Sequence, residues 1–154
     1  MEQDFLIKIG KHLKLSITFI KIEKQRMIYQ ITKGIKISVD TKYKGMSHRA
    51  SKIYHVFSYT IRIENTSSET VKLTDRFWKI YDTLNPIEIV SGEGVVGQTP
   101  ILKPAETYTY NSGCFLASNM GAMKGFYTMI NLTTFEQFKV IIPTFQLATP
   151  LLSN

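Results

Sequence analysis

Phe57-Ser58-Tyr59-Thr60-Ile61-Arg62-Ile63 carries an apolar side chain at every odd position and a polar one between each pair. Successive side chains of an extended chain point to opposite faces, so this run reads as a strand with one buried and one wet face. Ile35, Ile37 and Val39, interleaved with Lys36 and Ser38, repeat the pattern. Further along the parity switches: Val71 and Leu73 are odd, whereas Trp78 and Ile80 are even. A strand that keeps its buried face across such a switch needs an extra residue, which places a bulge or bend within residues 74–76.

Residues 87–90, 107–111, 123–131 and 135–142 read as further strands, the last turning Phe138, Val140 and Ile142 to one side. Between them stand turn formers: residues 65–69, Asn85-Pro86, residues 91–100, Lys103-Pro104-Ala105-Glu106, Gly113, Gly121 and residues 131–134. No segment demands a long helix, and there is no β-α-β alternation. The expectation is an all-β, immunoglobulin- or fibronectin type III-like antiparallel sandwich of about seven or eight strands. Neither repeats nor low-complexity segments interrupt it.

The chain has 154 residues, enough for one domain with a real core. Its net charge is +7, but residues 1–26 hold six basic and three acidic groups, so the remainder is only +4. That surplus is not the concentrated basic face that a phosphate backbone requires, and nucleic acid is not expected as a partner. The lone Cys114 forbids an intrachain disulfide and any multi-cysteine zinc site. The apolar stretch at residues 15–22 is broken by Ser16, Thr18 and Lys21, too short and too polar for a signal peptide core or a membrane span. A cytoplasmic protein without a membrane partner is the expectation.

Gly92-Glu93-Gly94-Val95-Val96-Gly97 matches G-x-G-x-x-G, the pattern of a dinucleotide-binding turn. The context does not suit it, since Pro100 and Pro104 follow closely and no helix can begin there to offer its free N–H groups. Two readings stay open. The glycines adopt positive φ in a structural loop with Val95 and Val96 tucked against the sandwich, or successive N–H groups cradle a phosphate-type anion or a nucleotide, helped by Lys103 or Arg76.

Arg76-Phe77-Trp78, that glycine stretch, Pro100 and Leu102-Lys103-Pro104 resemble the signature of the ApaG family. Ser112-Gly113-Cys114-Phe115-Leu116, Gly121-Ala122-Met123-Lys124-Gly125-Phe126-Tyr127-Thr128-Met129 and Ile142-Pro143-Thr144-Phe145 continue the resemblance in order and spacing, from about Gln30 to Leu147. The resemblance implies a fibronectin-type sandwich, no established catalytic activity, a link to cobalt tolerance and magnesium efflux, and protein binding. The chain departs from the family pattern at Phe77 and Phe126, where histidine is usual, and at Ala105, where glycine is usual. Alanine there favours a type I turn over a type II turn.

Chemistry-bearing patterns are sparse. His12, His48 and His55 have no metal-ligand spacing, and no G-x-S-x-G, matched Cys/His pair or H-E-x-x-H is present. No catalytic residue, cofactor or metal centre is expected. Were a hard cation bound, Asp75, Asp82, Glu88 or Glu93 would supply the oxygens. Strand alternation turns Trp78 to one face, as core, and Phe77 to the other. The candidate binding face for an unidentified protein partner joins Arg76 and Phe77 to Gly92, Glu93, Gly94, Gly97 and Lys103.

Met27 sits where chains of this family usually begin, so residues 1–26 read as an extension and residues 27–154 as the domain. They could also add an edge strand through Leu15, Ile17 and Phe19. A protein starting at Met27 is expected to be soluble and to melt in one cooperative transition; an insoluble or molten product would assign residues 1–26 to the fold.

Overall fold

The computed structural model describes residues 27–150, and these form nine strands: β1 Ile28–Thr32, β2 Ile35–Arg49, β3 Lys52–Asn65, β4 Val71–Asp82, β5 Asn85–Glu93, β6 Ile101–Leu102, β7 Thr107–Leu116, β8 Met120–Asn131 and β9 Gln137–Ala148. One sheet runs β1-β2-β3-β7 and the other β5-β4-β8-β9, with the two-residue β6 pairing the start of β4; every pairing is antiparallel. The result is the two-sheet sandwich that the alternating runs imply, with nine strands where seven or eight were expected. Residues 1–26, including the Leu15, Ile17 and Phe19 stretch, lie outside the described residues.

The alternating residues meet in the interlayer. Ile35, Ile37 and Val39 of β2 and Phe57, Tyr59, Ile61 and Ile63 of β3 face Leu73 and Trp78 of β4, Tyr127 of β8 and Val140 of β9, all buried. Removing such side chains from water is what holds the layers together, at roughly 25 cal/mol per Å² of apolar surface. The parity switch in β4 is a bulge: against β8, Leu73 pairs Met129 but Asp75 pairs Thr128, leaving Thr74 extra. A second bulge lies in β9, where Met123 opposes Phe145 but Gly125 opposes Ile142, so two residues, Pro143 and Thr144, face Lys124 alone. Proline fits such a position because a bulge leaves a backbone N–H out of the ladder.

One end of the sandwich is closed by Asn65, fully buried at the end of β3. Its amide donates to the carbonyls of Glu69 at 2.7 Å and Leu102 at 2.9 Å, and its carbonyl oxygen accepts from the Ser67 N–H and hydroxyl. Its backbone N–H donates to Glu106 and its carbonyl accepts from Ala105. Every polar group of this residue therefore has a partner, as burial requires.

The Lys103–Glu106 turn differs from the sequence expectation. Ala105 has φ +67° and the Glu106 N–H donates to the Lys103 carbonyl at 3.1 Å. Positive φ at the third position defines a type II turn, so alanine occupies the glycine conformation rather than converting the turn to type I. The cause is tertiary: the Ala105 N–H is directed at the Asn65 carbonyl, at 2.8 Å, and a type I turn would aim it elsewhere. An alanine held in this region costs about 1 to 2 kcal/mol, offset in part when glycine replaces it by the extra freedom of the unfolded chain. Ala105→Gly is therefore expected to stabilise the protein by up to about 1 kcal/mol, read as a higher denaturation midpoint at unchanged m-value; a lower midpoint would contradict the strained-turn account.

Candidate functional site: a cleft between two edge strands

β5 ends one sheet and β7 ends the other, and between them the layers stand open around a cleft of about 470 Å³. β4 supplies its back wall with Arg76, Trp78 and Ile80, which share the inward face because they are two residues apart. Val90 and Glu88 come from β5, Tyr110, Ser112 and Cys114 from β7, and Val95 and Val96 from the turn above.

The aromatic floor is a packed cluster. Trp78, only 3% exposed, meets Tyr59 with centroids 5.8 Å apart and stands edge-on to Tyr127 and Phe145. The hydroxyls of Tyr110 and Tyr127 share a short hydrogen bond across the interlayer. Burial raises the pKa of both phenols, and of Tyr59, against the weaker pull of the Arg76 charge. Burial likewise pushes the Cys114 thiol up to about 12, with Glu88 and Asp82 adding to the effect. The thiol is therefore protonated at neutral pH and a poor nucleophile.

Arg76 reaches from β4 across Gly92, whose missing side chain leaves the guanidinium lying against the backbone. Its Nη1 donates to the carbonyls of Glu93 at 2.8 Å and Gly94 at 2.9 Å. The cation thus fixes the end of β5 and the start of the glycine turn. Ser91, Gly92 and Glu93 belong to β5, opposite Phe77, Arg76 and Asp75, where the sequence reading placed a loop through residues 91–100.

The glycine stretch itself is a hairpin tip. Val95 and Gln98 exchange both backbone hydrogen bonds, at 2.8 and 3.0 Å, around Val96 at φ +48° and Gly97 at φ +73°. Two successive positive φ values make a type I′ turn. The Gly94 N–H donates to Thr74 at 2.7 Å. The N–H groups of Gly94, Val95 and Gln98 are therefore held within the protein, and only the exposed tip Val96-Gly97 stays clear of these bonds. A β-branched residue at positive φ is strained, and Val96 is also 62% exposed at the cleft mouth.

The sequence-derived candidates separate. Arg76 meets Gly92 and Gly94 at the upper end of the cleft, while Gly97 lies at the hairpin tip with open space around it. Phe77 lies on the opposite face of β4, half-buried and stacked on Phe126, centroids 5.0 Å apart. Arg76 and Phe77 therefore do not form one face, because neighbours on a strand point oppositely. Glu93 follows Phe77 outward and stands directly across from Asp75. Lys103, exposed, follows the Leu102 that pairs with Val71, five residues along β4 from Arg76, about 16 Å at strand rise. The two positions where histidine is usual, Phe77 and Phe126, prove to be one cross-strand pair.

Of the four carboxylates, Asp75 and Glu93 are adjacent on the outer face, Glu88 lines the cleft, and Asp82 clasps two turns. Asp82 accepts from the backbone N–H groups of Leu84, Ala117 and Ser118 and from the Asn85 amide. Partial burial works against its charge, but hydrogen bonds with Ser118, Asn85, Leu84 and Ala117 outweigh it and bring the pKa down to about 2. The stabilisation this supplies is complete above the ordinary carboxylate pKa and is lost as the pH falls towards 2. Among the described residues no three His, Cys, Asp or Glu side chains lie together as a metal-holding group.

The family model described as the ApaG domain matches residues 45–131. A curated relative from Brucella canis, Protein ApaG, is 38% identical over 124 residues, 80% of this chain and 95% of the relative. Its counterpart from Beijerinckia indica is 40% identical over the same shares. The solved structure of an ApaA protein from Bordetella pertussis superimposes with a TM-score of 0.70 at 37% identity, covering 81% of this chain and 98% of that one.

At Gly94, a side chain would collide with the Gln98 carbonyl and the φ of +62° disfavours any residue but glycine. Gly94→Ala is expected to destabilise by about 1 to 3 kcal/mol. Gly97, with open space around it, is expected to cost only the conformational part, about 1 kcal/mol. Equal melting temperatures for the two alanine variants would show that the turn does not hold this geometry in solution.

Proposed function

The chain belongs to the ApaG family, and from that premise we propose that it is a non-catalytic, cytoplasmic binding module that holds an extended segment of a partner protein in the cleft between β5 and β7. The observation that carries this reading is an open, aromatic-floored cleft bordered on both sides by strands whose outer edges are unpaired among the described residues. An extended segment can add backbone hydrogen bonds to such an edge while sending alternate side chains inward. Trp78, Ile80, Val90 and Met123 offer an apolar wall for one of those side chains, and the Arg76 guanidinium, held by Glu93 and Gly94, offers a cation at a fixed position to a carbonyl or carboxylate beside it.

A non-catalytic role is supported by what lines the cleft. Cys114 is held as a thiol, and among the described residues no histidine lines the cleft beside it or Ser112. His48 sits exposed near the tip of the β2–β3 hairpin, and His55 is engaged with the Tyr43 hydroxyl at 3.1 Å. Anion or pyrophosphate binding by the glycine turn has less support, since the N–H groups of Gly94, Val95 and Gln98 are held internally and only those at the Val96-Gly97 tip stay clear. Direct metal binding by Asp75, Asp82, Glu88 or Glu93 also has less, since those carboxylates do not converge. A link to cobalt tolerance and magnesium efflux would then pass through the partner.

Val90 is half-buried on the edge strand β5 and points into the cleft. Val90→Glu is expected to change stability by no more than about 1 kcal/mol while lowering affinity for a partner isolated from native lysate by tenfold or more, about 1.4 kcal/mol. Lys103→Ala, remote from the cleft, is expected to leave affinity unchanged. Full binding by Val90→Glu, measured with the purified partner, would remove the cleft from consideration.

A further inference from the structure

The outer face of the β5-β4-β8-β9 sheet carries a feature that the cleft does not use. Its central rows place Phe77 opposite Phe126 and Lys79 opposite Lys124, with Ile141 of β9 beside Phe126. Next to the stacked phenyl rings is a groove of about 470 Å³, lined by Phe77, Lys79, Lys124, Phe126, Ile141 and, from β1, Gln30. The β9 bulge borders it: Pro143 and Thr144 both oppose Lys124, Thr144 exposed in the groove lining and Pro143 buried, and Gly125 lets β4 and β8 close up so that the two phenylalanines touch.

Its charge is unbalanced. Lys79 and Lys124 are cross-strand partners, an arrangement that repels and costs stability. Lys139 adds a third cation, its Nζ lying 4.4 Å from the Phe126 ring centre. Among the described residues no acidic side chain lines the groove, and their ion pair, Lys33 with Glu136, involves none of these lysines.

We propose that this groove is a second docking site, for an acidic peptide segment that sets an apolar side chain against Phe77, Phe126 and Ile141 and its carboxylates against Lys79 and Lys124. The segment supplies the negative charge that the cross-strand lysine pair lacks, and the apolar anchor fills a hollow that water occupies poorly. A single-stranded nucleic acid fits less well. Base stacking needs an open ring face, yet Phe126 is already stacked on Phe77 and carries the Lys139 Nζ over its ring.

The test titrates the full chain against a fluorescein-labelled acidic peptide with a central phenylalanine, at low ionic strength, reading anisotropy. Three comparisons accompany it: the same peptide with alanine for phenylalanine, an oligouridylate of equal charge, and the protein variants Lys124→Glu and Val90→Glu. The expected result is saturable binding that weakens about tenfold for the alanine peptide and for Lys124→Glu, is weaker for the oligouridylate, and is unchanged by Val90→Glu. Lys124→Glu places a carboxylate opposite Lys79, so its melting temperature is expected to rise although its affinity falls. Lys79→Gln provides a second charge-removing variant should Lys124→Glu fail to fold. No binding up to about 1 mM peptide, full affinity in Lys124→Glu or Lys79→Gln, equal affinity for the alanine peptide, or tighter binding of the oligouridylate would each overturn the proposal. Loss of binding in Val90→Glu would instead place the peptide in the cleft and overturn the second site.

Discussion

The buried amide of Asn65 is the constraint on which the rest of the sandwich depends. It ends β3 in one sheet, yet donates to the carbonyl of Leu102 on β6 in the other. The same residue holds the 65–69 turn through Ser67 and Glu69, and its backbone sets the Lys103–Glu106 turn that leads into β7. Leaving any of these buried groups without a partner would cost about 1 to 3 kcal/mol, so the two sheets are registered to each other at this end. From there they separate. Beyond Tyr110 on β7 and Arg76 on β4 the edge strands no longer close over the interlayer, and the cleft begins.

β4 serves both faces of its sheet, and the bulge at Thr74 decides which residue serves which. With the extra residue in place, Arg76, Trp78 and Ile80 face the cleft, while Asp75, Phe77 and Lys79 face outward. Shifting the register by one residue would exchange the two sets. The inner set is an anchored cation above an aromatic floor, and the outer set an aromatic pair beside a cross-strand pair of lysines. One strand thus provides two surfaces of different chemistry, back to back.

The fold was legible where burial follows local alternation. Phe57 to Ile63, Ile35 to Val39 and the parity switch after Leu73 each led to the correct strand face, because in a two-layer sandwich the inward face must be apolar. Ile87 and Ile89 were legible only as strand, since they turned out to be the exposed face of an edge. Ser91, Gly92 and Glu93 read as loop because glycine and serine are weak strand formers; their pairing with Phe77, Arg76 and Asp75 is a tertiary fact. The inward turn of Arg76 was available from its spacing to Trp78, although charge suggested a surface position. Ala105 could not have been read locally, since a hydrogen bond with Asn65 sets its φ. The Lys79 and Lys124 pair was equally hidden, being a product of register between strands forty-five residues apart in sequence.

The position of Cys114 turns the cleft into something that can be watched. The thiol is the chain's single cysteine, lines the cleft, is 5% exposed and is held protonated by its surroundings. Alkylation requires both access and loss of that proton, so it is slow for a thiol as buried as this one. The labelling rate of this one sulfur is therefore a clock for its access through the cleft. A segment lodged between β5 and β7 would slow that clock without any label having to be introduced, giving the protein an intrinsic gauge of whether its cleft is filled.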